Sequence, residues 1–97
     1  MIYVDFTLNL PKNTILYNMR QLKLIWDFYG PNAKRTAEHH EIHLKEYITL
    51  EQLDIKITGV ETISDVHTFA FLVVNEANMK PLRDALKPHR GQVFAEK

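Results

Sequence analysis

The chain has 97 residues and carries 12 acidic and 12 basic side chains. Its length predicts one domain spanning residues 1–97, and its balanced charge argues against the phosphate-backbone binding that DNA- and RNA-binding proteins need. The absence of cysteine excludes disulfides, thiolate zinc sites and cysteine nucleophiles.

No targeting or membrane signal is evident in the sequence. The N-terminal residues lack the charged head and apolar core of a signal peptide. No apolar run approaches the roughly 20 residues that are needed to span a bilayer. We therefore expect a soluble, cytoplasmic protein that makes no membrane contact.

The first half of the chain predicts one strand and a long helical region. Apolar residues alternate over residues 2–8 and predict a half-buried strand. A stripe at helical spacing follows, at Ile15, Met19, Leu22, Trp26 and Tyr29. After Gly30-Pro31, a second stripe predicts helix from about residue 31 to residue 47, at Ala33, Ala37, His40, Leu44 and Tyr47. The two stripes indicate either two helices or one kinked helix over residues 13–47.

The second half predicts three strands and one helix. Residues 49–52 have the spacing of a capping box and predict a short helical turn. Strands are predicted over residues 54–63, with a bulge at Gly59, and over the almost wholly apolar residues 66–74. A helix with the apolar face Met79, Leu82 and Leu86 follows. It is capped by Asn75 or Asn78 and has Pro81 in its first turn. Residues 92–95 predict a short last strand.

The order β-α-β-β-α-β is typical of the ferredoxin-like, split βαβ arrangement. It predicts an α+β fold with a four-stranded antiparallel sheet and both helices on one face. Apolar residues recur on the strands, at Phe6, Ile57, Phe69 and Phe71. We therefore expect a second copy of the chain to cover the face that the helices leave open, which makes a homodimer.

Element order and length make the chain similar to the dimeric α/β-barrel superfamily, which includes muconolactone isomerases and quinol-type monooxygenases. Small prokaryotic families of unknown function within it are closer in detail. The residues that carry this resemblance are His39-His40-Glu41-Ile42-His43, Gly59-Val60-Glu61-Thr62, Asp65-Val66-His67 and the stretch from Leu82 to Pro88. The resemblance implies a homodimer with a pocket between sheet and helices. It implies no activity, because members of this superfamily carry out unrelated chemistry.

The histidines form the candidate site. Of the five in the chain, three lie within residues 39–43 and a fourth, His67, opens the predicted central strand. On a helix, His39 and His43 are neighbours, as are His40 and His43, and either pair can chelate a divalent metal such as Zn, Ni or Cu. His40 is expected to point towards the sheet, where His67 can meet it. A zincin motif would need glutamate at the position of His40, so no metalloprotease is predicted. The alternative is that His40 is a core histidine with one hydrogen-bond partner, and that His39 and His43 are solvated.

Two further groups of residues have a functional and a structural interpretation. Trp26, Phe28, Tyr29 and Tyr47 can line an apolar pocket, although a stripe at helical spacing is usually core packing. The basic residues of the second helix and its end can clamp an anion, or can simply oppose the helix dipole. They are Lys80, Arg83, Lys87, His89 and Arg90.

We therefore predict a small homodimeric protein that binds a small molecule or a divalent metal. The ligand-binding residues are expected to be His40, His43, His67, Trp26 and Tyr47, and the metal ligands His39, His40, His43 and His67. Whether it is an enzyme, with histidines as proton carriers, stays open. The alternative is a non-catalytic regulatory or assembly module with incidental histidines. Phe69 and Phe71 on the sheet are the only residues that favour nucleic-acid binding. The sequence lacks the basic surface that such binding needs.

Overall fold

The computed structural model describes residues 20–94. The strand predicted over residues 2–8, and the part of the first predicted helix before residue 20, lie outside the described residues. The elements in chain order are β1 (Gln21–Tyr29), α1 (Ala33–Leu50), β2 (Thr58–Ser64), β3 (His67–Asn75), a 3-10 turn (Glu76–Asn78), α2 (Met79–Leu86) and β4 (Arg90–Phe94).

The four strands form one sheet in the order β2-β3-β1-β4, and every neighbouring pair is antiparallel. Strand β3 lies between β1 and β2, so the β1-α1-β2 unit is split by an inserted strand. The predicted α+β class with a four-stranded antiparallel sheet and two helices is confirmed, and it is compatible with a ferredoxin-like fold.

The prediction of helix before Gly30 is wrong for residues 21–29, which form β1. Leu22, Trp26 and Tyr29 do have helical spacing, but Leu22, Leu24 and Trp26 also have the period of a strand. Residues 22–26 of β1 are buried on both faces of the sheet. Ile25 breaks the alternation of apolar with polar residues along the strand, so the period of two is incomplete and the helical spacing competes with it.

Helix α1 confirms the second helical stripe and answers the question of one helix or two, since it begins only at Ala33. Ala33, Ala37 and Leu44 are buried, as the spacing predicts. The capping box predicted at residues 49–52 is wrong. Thr49 and Leu50 end α1, because no glycine or proline stops the helix at Tyr47.

The remaining elements match their predictions apart from their bounds and two details. The register shift lies between Thr62 and Ser64 rather than at Gly59. Gly59 instead makes room for the ring opposite it, since a Cβ there would lie 2.7 Å from Cζ of Phe71. Pro81 lies in the first turn of α2, as predicted, but neither Asn75 nor Asn78 makes a side-chain cap bond.

Both helices pack on the same face of the sheet. The core there joins strand residues to helix residues, at Leu22, Leu24, Trp26, Ala70, Leu72, Val74, Ala37, Leu44, Met79 and Leu82. Side chains alternate along a strand, so Ile25, Asp27, Phe69 and Phe71 lie on the opposite face. Neither helix of the described part of the chain has the length and apolarity that a membrane crossing requires.

Candidate functional site

His40 points from α1 towards the sheet, as its place on the apolar stripe predicts. Its ring lies against two aromatic rings of β1, with centroid distances of 5.1 Å to Trp26 and 5.4 Å to Phe28. Its Nε2 atom is buried and has no hydrogen-bond partner among residues 20–94. Leaving a buried polar atom unpaired costs about 1–3 kcal/mol. The alternative of a core histidine with one hydrogen-bond partner leaves this second ring nitrogen unexplained.

The surroundings of His40 favour its neutral form. Burial lowers the pKa of His40, and the nearby imidazoles of His43 and His89 lower it further. At neutral pH one ring nitrogen thus carries a proton and the other offers a lone pair. The neutral ring can therefore hydrogen-bond a ligand without placing a charge in an apolar environment.

His39 and His43 are neighbours on the exposed surface of α1, as predicted. Their Nε2 atoms lie 2.9 Å apart, and Nδ1 of His43 lies 3.0 Å from Oε1 of Glu46. Donation from Nδ1–H to this carboxylate leaves the lone pair of His43 on Nε2, facing His39. A carboxylate behind an imidazole in this way is common at metal-binding histidines.

The same pair has a spacing that suits a metal ion. Two nitrogens each about 2.0–2.1 Å from an ion are about 2.9 Å apart at the angle of about 90° of a square-planar or octahedral ion such as Cu²⁺ or Ni²⁺, and about 3.3 Å apart at the tetrahedral angle that Zn²⁺ prefers. Only two of the four predicted metal ligands converge in this way. Within residues 20–94, no group of three or more His, Cys, Asp or Glu side chains is arranged to hold a metal ion.

His67 does not meet His40, and this part of the prediction is wrong. Register places His67 directly opposite Tyr29, and the two rings stack at 4.4 Å. Trp26 and Phe28 face α1, so Tyr29 lies on the other side of the sheet and His67 lies there with it. The error arises because residues 21–29 were predicted to be helix, so the sheet face on which each of their side chains lies was not predicted.

His67 is instead part of an ionic cluster around Asp27. Nε2–H of His67 donates to Oδ1 of Asp27 at 2.8 Å. Arg90 donates from Nε to Oδ2 at 2.8 Å and from Nη2 to Oδ1 at 3.1 Å. The hydrogen bonds from Arg90 lower the pKa of Asp27, and the hydrogen bond from His67 lowers it further. Arg90 thus clamps an anion, as its chemistry suggests, but the anion is a side chain of the same protein.

His89 joins the two sides of the site. The backbone N–H of Asp27 donates to Nδ1 of His89 at 2.8 Å, and the His89 ring contacts the edge of Phe28 with centroids 6.4 Å apart. Phe28 therefore touches both His40 and His89. These contacts gather the histidines at one end of the sheet, where β1 ends and β3 and β4 begin.

Asp27 was not among the predicted site residues, because its neighbours were interpreted as one face of a helix. His89 and Arg90 were recognised only as cations that follow a helix. An alternation of Trp26 and Phe28 with Asp27 and Tyr29 was the available signal. It separates an aromatic face from a polar one, but only once the segment is recognised as a strand.

Tyr47, the last predicted ligand residue, does not join the histidines. It lies about 10 Å further along α1 than His40 and lines a cavity of about 290 Å³ with Val74 and Leu82. Of the four aromatic residues predicted to line a pocket, Trp26, Phe28 and Tyr29 contact histidines and Tyr47 does not.

Comparisons of the chain with protein-family models, with curated proteins and with solved structures found no match.

Proposed function

We propose that this protein binds a small molecule at the end of the sheet where β1 ends, and that Nε2 of His40 is the hydrogen-bonding group that holds it. The observation that carries this proposal is the buried, unpaired Nε2 atom. Native proteins pair nearly all buried polar atoms. A group kept unpaired at a cost in stability is best explained by a partner that arrives from outside.

The surroundings of His40 define the chemical class of this molecule. Phe28, which is only half-buried, offers an aromatic surface beside His40 on which a flat apolar ring can stack, with the buried Trp26 behind it. A neutral imidazole favours an uncharged hydroxyl or carbonyl group over a carboxylate. We therefore infer a single-ring ligand with one such polar group.

The experiment is a side-chain ¹⁵N NMR titration with phenol, benzyl alcohol and acetophenone. We expect the Nε2 resonance of His40 and the indole resonance of Trp26 to shift, and His40→Leu to abolish binding. His39→Ala, which removes a neighbouring exposed imidazole, is the matched control and leaves binding intact. Equal binding by His40→Leu would sink the proposal.

We also propose that the protein is a homodimer whose copies meet through the sheet face opposite the helices. Ile25, Phe69, Phe71 and Val73 make this face more apolar than a solvated sheet face requires. Ile25, Phe69 and Val73 are already buried within one copy, so the contact rests on Phe71 and its surroundings. Sedimentation analysis tests this: we expect Phe71→Glu to give monomers and Leu50→Glu, on exposed α1 surface, to leave dimers. Monomers in the unmodified protein would rule this out.

A second candidate function is divalent metal binding by His39 and His43, favoured by their 2.9 Å Nε2–Nε2 distance and the Glu46 carboxylate behind His43. Melting temperature followed against Zn²⁺, Ni²⁺ and Cu²⁺ tests it, because an ion that binds only the native state raises that temperature. His39→Ala is expected to remove the effect, Glu46→Gln to weaken metal binding by about tenfold, and His40→Leu to preserve it.

If neither metal ions nor the aromatic ring compounds bind, the alternative of a non-catalytic regulatory or assembly module takes precedence.

A further inference from the structure

The cavity of about 290 Å³ that Tyr47 lines lies at the C-terminal end of α1. Tyr47 is about 10 Å further along the helix than His40. The described residues that line the cavity do not include His40, Trp26 or Phe28. The cavity is therefore distinct from the site proposed above.

The inner lining of the cavity is apolar and comes from three parts of the chain. Leu53 and Ile55 belong to the segment that leads into β2, Val74 to the end of β3 and Leu82 to α2. Such a lining binds the hydrocarbon part of a ligand. The volume is at the lower end of the range of small-molecule sites, which suits a molecule with one ring.

The side-chain amides of two asparagines belong to residues that line the same cavity. Asn75 and Asn78 precede the 3-10 turn and α2, where asparagine usually caps a helix through its side chain. Neither side chain makes that bond here, although both residues line the cavity. Their amide groups are therefore available to hydrogen-bond a ligand.

The charge of the lining is negative. Glu51 and Asp54 both line the cavity, and no lysine or arginine does so among the described residues. Neither carboxylate forms an ion pair within residues 20–94; the ion pairs of that part of the chain involve other acids. An apolar interior with carboxylates and amides around it matches a cation on a hydrocarbon body.

We propose that this cavity binds a small primary amine in its ammonium form, with its ring against Leu53, Val74 and Leu82 and its ammonium group beside Glu51 and Asp54. The phenol of Tyr47 and the amides of Asn75 and Asn78 supply hydrogen-bond acceptors for the remaining ammonium protons. This site is distinct from the one at His40 and needs no metal.

Calorimetric titration with 2-phenylethylammonium, 2-phenylethanol and 3-phenylpropionate, together with methyl NMR, tests the proposal. We expect the ammonium to bind most tightly, the alcohol more weakly and the carboxylate least, with shifts at the methyl groups of Leu53 and Leu82. The double variant Glu51→Gln/Asp54→Asn is expected to weaken ammonium binding by about five- to tenfold, as two partly solvated charge contacts do, and to leave alcohol binding unchanged.

Glu38→Gln/Asp65→Asn is the matched control, because it removes two exposed carboxylates elsewhere and leaves the affinity for the ammonium unchanged. Thermal melting of both double variants checks that they fold. The proposal is overturned if the ammonium does not bind, if the carboxylate binds as tightly, if Glu51→Gln/Asp54→Asn has no effect, or if the shifts lie at His40 instead.

Discussion

Nε2 of His67 lies 2.8 Å from Oδ1 of Asp27, on the sheet face that turns away from α1. Arg90 binds the same carboxylate through two nitrogens. The three residues come from β3, β1 and β4, so the cluster joins three adjacent strands at one end of the sheet. Its stability is therefore linked to the pairing of those strands.

The first prediction concerns the pH dependence of stability. The folded protein holds the pKa of Asp27 below its ordinary value, chiefly through Arg90, so the unfolded chain takes up a proton at higher pH than the folded protein. The contribution of Asp27 is present above the unfolded pKa of about 3.9 and is lost as pH falls through the folded pKa. Urea unfolding between pH 7 and pH 2.5 should show this loss, and Asp27→Asn should remove that part of it. An unchanged pH profile in Asp27→Asn would contradict the assignment.

The second prediction is that His40→Leu raises the free energy of unfolding by about 1 kcal/mol. The substitution removes a buried polar atom without a partner and keeps apolar contacts with Trp26 and Phe28. Urea denaturation at pH 7.5 measures the change, with the exposed His43→Leu as the control expected near zero. A decrease of more than about 2 kcal/mol in the free energy of unfolding would mean that Nε2 is paired in the native protein. A gain in stability with a loss of binding is the usual sign of a group retained for function.

The third prediction is that Gly59→Ala destabilises the protein by about 1 kcal/mol. Alanine in place of strand glycine is ordinarily favourable by about 0.5–1 kcal/mol, but here its Cβ would lie 2.7 Å from Cζ of Phe71. In a double-mutant cycle with Phe71→Leu, the cost of Gly59→Ala should disappear, because the smaller side chain clears the space. Stabilisation by Gly59→Ala alone would show that the ring moves aside freely.

The fourth prediction is that Glu76→Gln costs about 2 kcal/mol of stability. Glu76 is fully buried, and Arg20 donates to both its oxygens, with Nη2 3.0 Å from Oε2. Charged hydrogen bonds of this kind contribute more than neutral ones, while the partial exposure of Arg20 keeps the cost below that of a fully buried pair. Thermal and urea unfolding measure it. Asp84→Asn, in an exposed pair with Arg83, should change stability by less than about 0.5 kcal/mol.

Local spacing was enough to predict α1, β3 and α2, because their patterns depend on residues close in the chain. It failed at β1, where Leu22, Trp26 and Tyr29 fit a helix and Leu22, Leu24 and Trp26 fit a strand. Pairing with β3 and β4 selects the strand, and the paired residues of these strands are 38 or more positions away in the chain. Within residues 20–94 the order is β-α-β-β-α-β, but its first strand is residues 21–29, whereas the strand predicted over residues 2–8 lies outside the described residues.

The candidate site divides in the same way. The contact between His39 and His43 followed from helical spacing alone and is confirmed. The contacts of Asp27 with His67 and Arg90 join residues 40 and 63 positions apart. They depend on strand register, which no local pattern fixes. The unpaired Nε2 of His40 depends on packing and could not be predicted from spacing either.

Trp26 donates its indole N–H to the carbonyl of Leu86 at 2.9 Å and lies beside His40. It is the sole tryptophan of the chain, so the tryptophan fluorescence of the protein comes from this one environment. Undocking of α2 from β1 exposes the indole to water and shifts its emission to the red, whereas protonation of His40 quenches it without such a shift. A single optical signal can thus distinguish local opening at the end of α2 from a change of charge at the imidazole.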